Sequence, residues 1–353
     1  MTQSMAQTRA LLVTSDPLLL EELARLAAAA GASAVPTPDV ATALPGWARA
    51  PLVLVGPDLL PQVALLGPPR RHGVYVVSWG SPGEEVYRPA LHVGAEGVLE
   101  LPGAAGLVGD LLTDLDGGRS EGVVVGVVGG SGGAGATTFA AALARLGAAT
   151  GPTVLVDADP LGPGVDRVLG LEDVPGVRWP ELARTTGRLG ARSLREALPR
   201  SGDLGLLGWD RGDVRALDPQ VAREVLSAAR RGHELVVLDL PRSLDAVAED
   251  LLARCDLVLL VVSASVTGIA AAGRLVSRLP DRERARLVVR GRSADPEVVG
   301  RALGVPVLTA MPDQRGLSEA IDLGLGPVRS RRGPLGRAAL EVLARCRMQA
   351  AAA

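Results

Sequence analysis

The chain has 353 residues, enough for two domains, and a formal net charge of −2, with arginine supplying all 37 basic residues. Near-neutrality removes any global pull toward nucleic acid or an anionic membrane. Cys255 and Cys346 are too few and too far apart for a disulfide framework or a thiolate zinc site, and the opening MTQSMAQTRA lacks the apolar stretch of a signal peptide. Reduced thiols and a cytoplasmic location are therefore expected.

From about Thr8 to Leu115, apolar runs alternate with helical patterns. The runs Ala10–Ser15, Pro51–Gly56, Val74–Trp79 and Gly97–Pro102 are expected as strands, with a helix over Leu18–Ala30. This alternation predicts an α/β fold with a parallel sheet and helical crossovers, occupying residues 1–115. The polar, glycine-rich stretch DGGRSEG, residues 116–122, is expected as a linker. A second domain, 123–353, is expected to place strands at Val123–Val128, Thr153–Asp159, Leu204–Trp209, Glu234–Pro241, Asp256–Ser263, Arg286–Gly291 and Pro306–Pro312. Near-continuous apolar strands between amphipathic helices predict a mostly parallel sheet covered on both faces. The uncharged stretch Gly122–Ala144 is long enough to span a membrane, but its glycines group in one loop and it parses as strand, loop and helix.

That loop, GGSGGAGATT from Gly129 to Thr138, leads into a helical pattern over Phe139–Leu146. A strand, a glycine loop and a helix start form a phosphate cradle, because successive backbone N–H groups and the helix N-terminus face an anion. The candidate nucleotide-binding residues are Gly130, Gly132, Gly133, Ala134, Gly135, Ala136, Thr137 and Thr138. A turn that needs positive φ would by itself also account for the glycines. A working loop places a lysine just before its Ser/Thr, and Ala136 stands there instead. Composition bias explains the absence of lysine, but not the choice of alanine over arginine. Thr137 is the candidate Mg²⁺ hydroxyl ligand. Asp157 and Asp159 end the next strand, Asp157 as a metal residue and Asp159 as the candidate catalytic group orienting water, with a helix cap as the alternative for both. Asp239 follows a buried strand and could hold the metal's water shell. Asp313 is either a turn residue or a nucleotide neighbour.

This ordered set resembles the deviant Walker-A family of MinD and ParA ATPases from Val123 to the C-terminus. LVTSDP near the start and AEGVLELP before the last helix of the first domain resemble a response-regulator receiver, which is flavodoxin-like in fold. A degenerate receiver ahead of a MinD-like domain is similar to the CpaE branch. The segment PGVRWPELARTTGRLG…LREALPRSGDLGLLGWDRG resembles the septum site-determining (Ssd) homologues within it.

The departures qualify what the resemblance implies. Ser131 and Ala136 stand at the family's two lysine positions, and Arg290 stands where an asparagine often faces the purine. Two lost charge-assisted hydrogen bonds, at ~1.5–3 kcal/mol each, weaken nucleotide binding by about two to four decades. In the receiver, Asp16 stands alone after Thr14 and Ser15, Val55–Gly56 holds the phospho-acceptor position with Asp58 two places late, and Leu101 replaces the lysine before Pro102. No phosphorylation is expected there. The resemblance implies ATP or ADP with Mg²⁺ as cofactor, or none, and lost or weak ATPase activity. It implies an adaptor that regulates septum placement or the localisation of a pilus or secretion machine, with protein partners from those machines and a homodimer among them. An active ATP-dependent dimer switch is the alternative, and a DNA-partitioning ATPase the third reading, with DNA contact disfavoured by the neutral charge. Membrane contact is expected through partners, because the C-terminal stripe of Leu335, Ala339, Val342, Leu343 and Cys346 suits packing on the domain's own sheet.

Overall fold

The computed structural model describes residues 9–116, 122–184, 189–210 and 216–352. The chain divides into two compact units, Met1–Gly118 with Gly190–Ser193, and Arg119–Leu189 with Leu194–Ala353. Of the expected linker, residues 117–121 lie outside the described residues, as do 185–188 and 211–215 of the septum-protein-like segment.

The first unit holds five parallel strands, β1 (Ala10–Val13), β2 (Ala34–Thr37), β3 (Val53–Val55), β4 (Val74–Trp79) and β5 (Gly97–Leu101), in the order β2-β1-β3-β4-β5. This is the flavodoxin-like winding expected of a receiver. Strand β2 was not among the expected strands. Its sequence AVPT buries only Thr37, and Pro36 lacks an N–H, so the segment suits a sheet edge and carries little apolar signal. Both faces of the sheet are covered. Leu12, Leu54 and Val77 pack on one side with Leu19 and Leu23, and Val13, Val55 and Val76 on the other with Trp47 and Leu60. The first helix, Pro17–Ala29, starts where Asp16 accepts hydrogen bonds from the N–H groups of Leu18 and Leu19.

The second unit contains β6 (Val123–Gly129), β7 (Thr153–Asp157), β8 (Arg200–Ser201), β9 (Leu204–Leu207), β10 (Leu235–Leu240), β11 (Leu257–Ser263), β12 (Ala285–Arg290) and β13 (Val307–Met311). Their order is β13-β12-β11-β6-β10-β7-β9-β8, parallel except for the β8–β9 pair. All the strands expected here are present, some ending earlier than expected, as β7 does at Asp157. The two-residue β8 is too short to leave a pattern. Strand β6 lies between β10 and β11 with every residue from Val124 to Gly129 buried. The chain steps to opposite sides of β6, so a crevice opens at its carboxyl end. The uncharged stretch Gly122–Ala144 resolves into β6, a loop and the helix Ala136–Gly147, and among the described residues no helix is long and apolar enough to cross a membrane.

The C-terminal helix Pro334–Ala352 buries Leu335, Ala339, Val342, Leu343 and Cys346 in the core shared with helix Ala136–Gly147. Its apolar stripe is thus covered by its own domain, as the spacing suggested. Glu341, on the polar side, accepts a hydrogen bond from the Thr309 hydroxyl of β13.

Candidate functional site: a phosphate loop without lysine

The glycine loop begins where β6 ends. The Gly130 N–H donates to Val261 O of β11 at 2.9 Å, and the Ala134 N–H closes a turn on Ser131 O at 3.2 Å. Gly133 and Gly135 have φ of 71° and 92°, a conformation that side chains oppose. A Cβ on Gly130 would lie 2.9 Å from Ala272 Cβ and 3.1 Å from Val262 Cγ2, so packing excludes one there. Gly132 differs from these three. Its φ is not left-handed, and a Cβ on it would meet nothing within 4 Å. Turn strain therefore accounts for Gly133 and Gly135 and close packing for Gly130, whereas neither demands glycine at Gly132.

The helix opens at Ala136 with Gly135 as its N-cap, and Phe139 N–H is bonded back to Gly135 O at 2.9 Å. The N–H groups of Ala136, Thr137 and Thr138 precede the first intrahelical bond, the arrangement that attracts anions. Ala136 is partly buried against the apolar core under the loop. Its methyl group adds packing but no charge.

The sheet register places Asp239 of β10 beside Asp157 of β7 on one side and Val127 of β6 on the other. Both carboxylates are buried, at 2% and 1% exposure. Burial pushes Asp157 up to about 7. Hydrogen bonds from the Asp159 and Val165 N–H groups, at 3.1 and 3.2 Å, oppose the shift, and the charges of Asp159 and Asp166 add to it. Asp239 is pushed well above the usual carboxylate range by burial first and by the Asp157 charge second, with the Thr137 hydroxyl as its hydrogen-bonding neighbour. The structure thus brings Thr137, Asp157 and Asp239 together, with Asp159 in electrostatic reach of both buried acids.

The helix-cap alternative is visible as well. The Asp157 carboxylate accepts from Val165, the first residue of the short helix Val165–Leu169, whereas Asp159 Oδ1 accepts from Leu161 N–H at 3.0 Å in the turn before that helix and caps no helix. Behind them the Trp179 indole donates to Asp157 O at 2.7 Å. No sequence signal pointed to this contact.

Among the described residues no group of three or more His, Cys, Asp or Glu side chains is placed to hold a metal ion. The donor set at the loop is instead one hydroxyl and hard carboxylate oxygens, with an excess of buried acid. That set fits Mg²⁺, which takes one or two protein oxygens and completes its shell with water and ligand oxygens.

Arg290, at the end of β12, reaches the loop from its carbonyl side. Its Nη1 donates to Gly133 O and Ala134 O, both at 3.2 Å, and its Nε donates to Asp313 Oδ1 at 2.7 Å. Asp313, open in the sequence between turn residue and nucleotide neighbour, is the ion-pair partner of this arginine.

In the receiver-like unit, Asp58 closes the position where an acceptor would sit. Its Oδ1 accepts from Thr14 Oγ1 at 2.8 Å, and its Oδ2 from the Ser15 N–H and hydroxyl, both at 2.7 Å. Partial burial pushes this carboxyl up, but the hydrogen bonds from Ser15 and Thr14 together hold it below the ordinary value. The two thiols are equally closed: burial pushes Cys255 up to about 12 and Cys346 up to about 11.

Residues 13–122 match the family described as "Rv3660c-like, CheY-like N-terminal domain". Over 341 residues the chain is 37% identical to Rv3660c of Mycobacterium tuberculosis, covering 93% of this chain and 95% of that protein. The second unit is similar in structure to the ParA family ATPase of Chlorobium tepidum, with a TM-score of 0.53, 17% identity and coverage of 62% of this chain and 98% of that one. It is equally similar to MinD in the MinC:MinD cell division protein complex of Aquifex aeolicus, with a TM-score of 0.53, 20% identity and coverage of 64% and 96%. At these identities the two structures show the fold, and they agree with a CpaE-like arrangement of receiver-like and MinD/ParA-type domains. The chain belongs to the Rv3660c-like family, in which a CheY-like domain is joined to a domain of the MinD/ParA fold.

Proposed function

We propose that this chain regulates septum placement, or the localisation of a pilus or secretion machine, as a MinD/CpaE-like adaptor that binds ATP or ADP with Mg²⁺ while turnover is lost or weak. One observation carries the reading: the loop is fully formed, with its glycine turns and helix start in place, yet Ser131 and Ala136 stand at both lysine positions. In this reading the N–H groups of Gly132, Gly133 and Gly135 to Thr138 hold phosphate, the Ala134 N–H being taken by Ser131 O, and Thr137 with Asp239 holds Mg²⁺, with Asp157 behind. The cation would neutralise phosphate charge and the buried carboxylates at once. What is missing is the mobile positive charge that stabilises a transferring phosphoryl group.

The working parts are assigned to residues 1–115 and 123–353, joined by 116–122. Partners are proteins of the division or secretion machinery and a second copy of the chain, and any membrane location comes through them. The Aquifex relative is itself in complex with a protein, MinC.

Calorimetric titration with Mg-ATP and Mg-ADP, alongside phosphate release at saturating ATP, tests the proposal. Weak binding without turnover is expected. In the Ser131→Lys/Ala136→Lys double variant, affinity should rise by about two decades or more. Turnover by the natural chain equal to that of the double variant would overturn the adaptor reading. It would favour an active ATP-dependent dimer switch, the second reading, which the grouping of Thr137, Asp157 and Asp239 around the loop supports.

A further inference from the structure

The proposed function leaves one charged group beside the loop without a role. Arg290 arrives from β12, remote in sequence, and its guanidinium is already bonded to two loop carbonyls and to Asp313. We infer that Arg290 is a positioning residue that supplies, from behind the loop, part of the positive potential its two missing lysines would have supplied. This inference rests on the reading that the cradle binds polyphosphate.

The peptide groups of the loop transmit this potential. The C=O and N–H of a trans peptide point in opposite directions. The Gly133–Ala134 peptide has its N–H occupied by Ser131 O. The Ala134–Gly135 peptide receives Arg290 on its carbonyl and turns the Gly135 N–H the other way, toward the cradle side. A cation donating to a carbonyl polarises that peptide and strengthens its N–H as a donor, and hydrogen bonds in series reinforce one another. The guanidinium is also close: a Cβ on Gly135 would lie 3.1 Å from Arg290 Nη1. Asp313 fixes the arginine before any ligand arrives, but its negative charge subtracts from the potential that an anion would feel.

At Asp313→Asn a purely mechanical brace predicts no change in affinity, whereas an electrostatic role predicts tighter binding. In Asp313→Asn the side-chain oxygen still accepts from Arg290 Nε, so the brace stays while the opposing charge goes. The experiment titrates the full chain and its Arg290→Gln and Asp313→Asn variants with inorganic tripolyphosphate at low salt, with thermal midpoints measured in parallel. Arg290→Gln is expected to weaken binding about tenfold, and Asp313→Asn to strengthen it about threefold. If Arg290→Gln fails to fold, the sign at Asp313→Asn decides alone. Unchanged or weaker binding in Asp313→Asn, whatever Arg290→Gln does, overturns this inference and leaves the proposed function standing. No binding of tripolyphosphate or Mg-ADP by the natural chain overturns both.

Discussion

Two buried carboxylates dominate the chemistry at the residue scale. Asp157, pushed up to about 7, keeps its proton in the folded chain well above the pH at which it ionises in the unfolded one. The folded state therefore binds more protons between about pH 4 and pH 7, and the contribution to stability falls as pH rises through that window. Asp239 is shifted in the same direction, by burial first and the Asp157 charge second, and adds to the effect. His233 runs the other way: burial pushes it down to about 4, so its contribution is present above about pH 6.5 and is lost on acidification. Asp239→Asn, which keeps an acceptor for Thr137, is expected to stabilise the ligand-free chain as pH rises from about 5 to about 8 and to flatten its fall in stability relative to the natural chain. Thermal unfolding across that range checks both. If Mg²⁺ occupies the proposed site, its addition to the natural chain should reverse the trend, since it favours ionised carboxylates.

Elements set the tolerance of each glycine and of the last helix. Gly130→Ala drives a methyl into Ala272 and Val262 and is expected to cost ~1–3 kcal/mol of stability. Gly132→Ala meets open space and should leave the thermal midpoint unchanged while weakening polyphosphate binding, since its Cβ would stand on the cradle. Chemical denaturation of the two variants, with a tripolyphosphate titration of the second, separates packing from function. In the C-terminal helix, Leu343→Ala opens a cavity under a residue only 4% exposed and should cost ~2–4 kcal/mol. Sedimentation with anionic vesicles should show no intrinsic association of the natural chain, because the apolar face of this helix is already covered.

For the whole molecule, the receiver-like unit and the MinD/ParA-fold unit depart from the families they resemble at different kinds of residue. In the first, Thr14 and Ser15 tie Asp58 over the acceptor position. Incubation with Mg²⁺ and acetyl phosphate is expected to add no phosphate by intact mass. In the second, Asp157 and Asp239 stand buried beside the loop while Ser131 and Ala136 occupy the two lysine positions. Both thiols are buried in the second unit. Cys255 and Cys346 should resist alkylation until the chain unfolds, which mass labelling in native and denaturing buffer will read.

Strand order along the chain, the class of both units and the strand–glycine loop–helix succession were legible in the residues, because apolar period and glycine spacing are local properties. Strand β2 was not, since AVPT at a sheet edge buries too little to leave a pattern. The sequence also determined by itself which charges are absent: no fold can return a lysine to positions 131 and 136. Tertiary structure alone decided where the remaining charges act. Asp239 meets Asp157 through the register of two parallel strands remote in sequence. Arg290 reaches the carbonyl side of the loop, and Asp313 becomes its partner, through the turns that end β12 and β13. Such meetings arise from sheet order and packing, which no local spacing encodes.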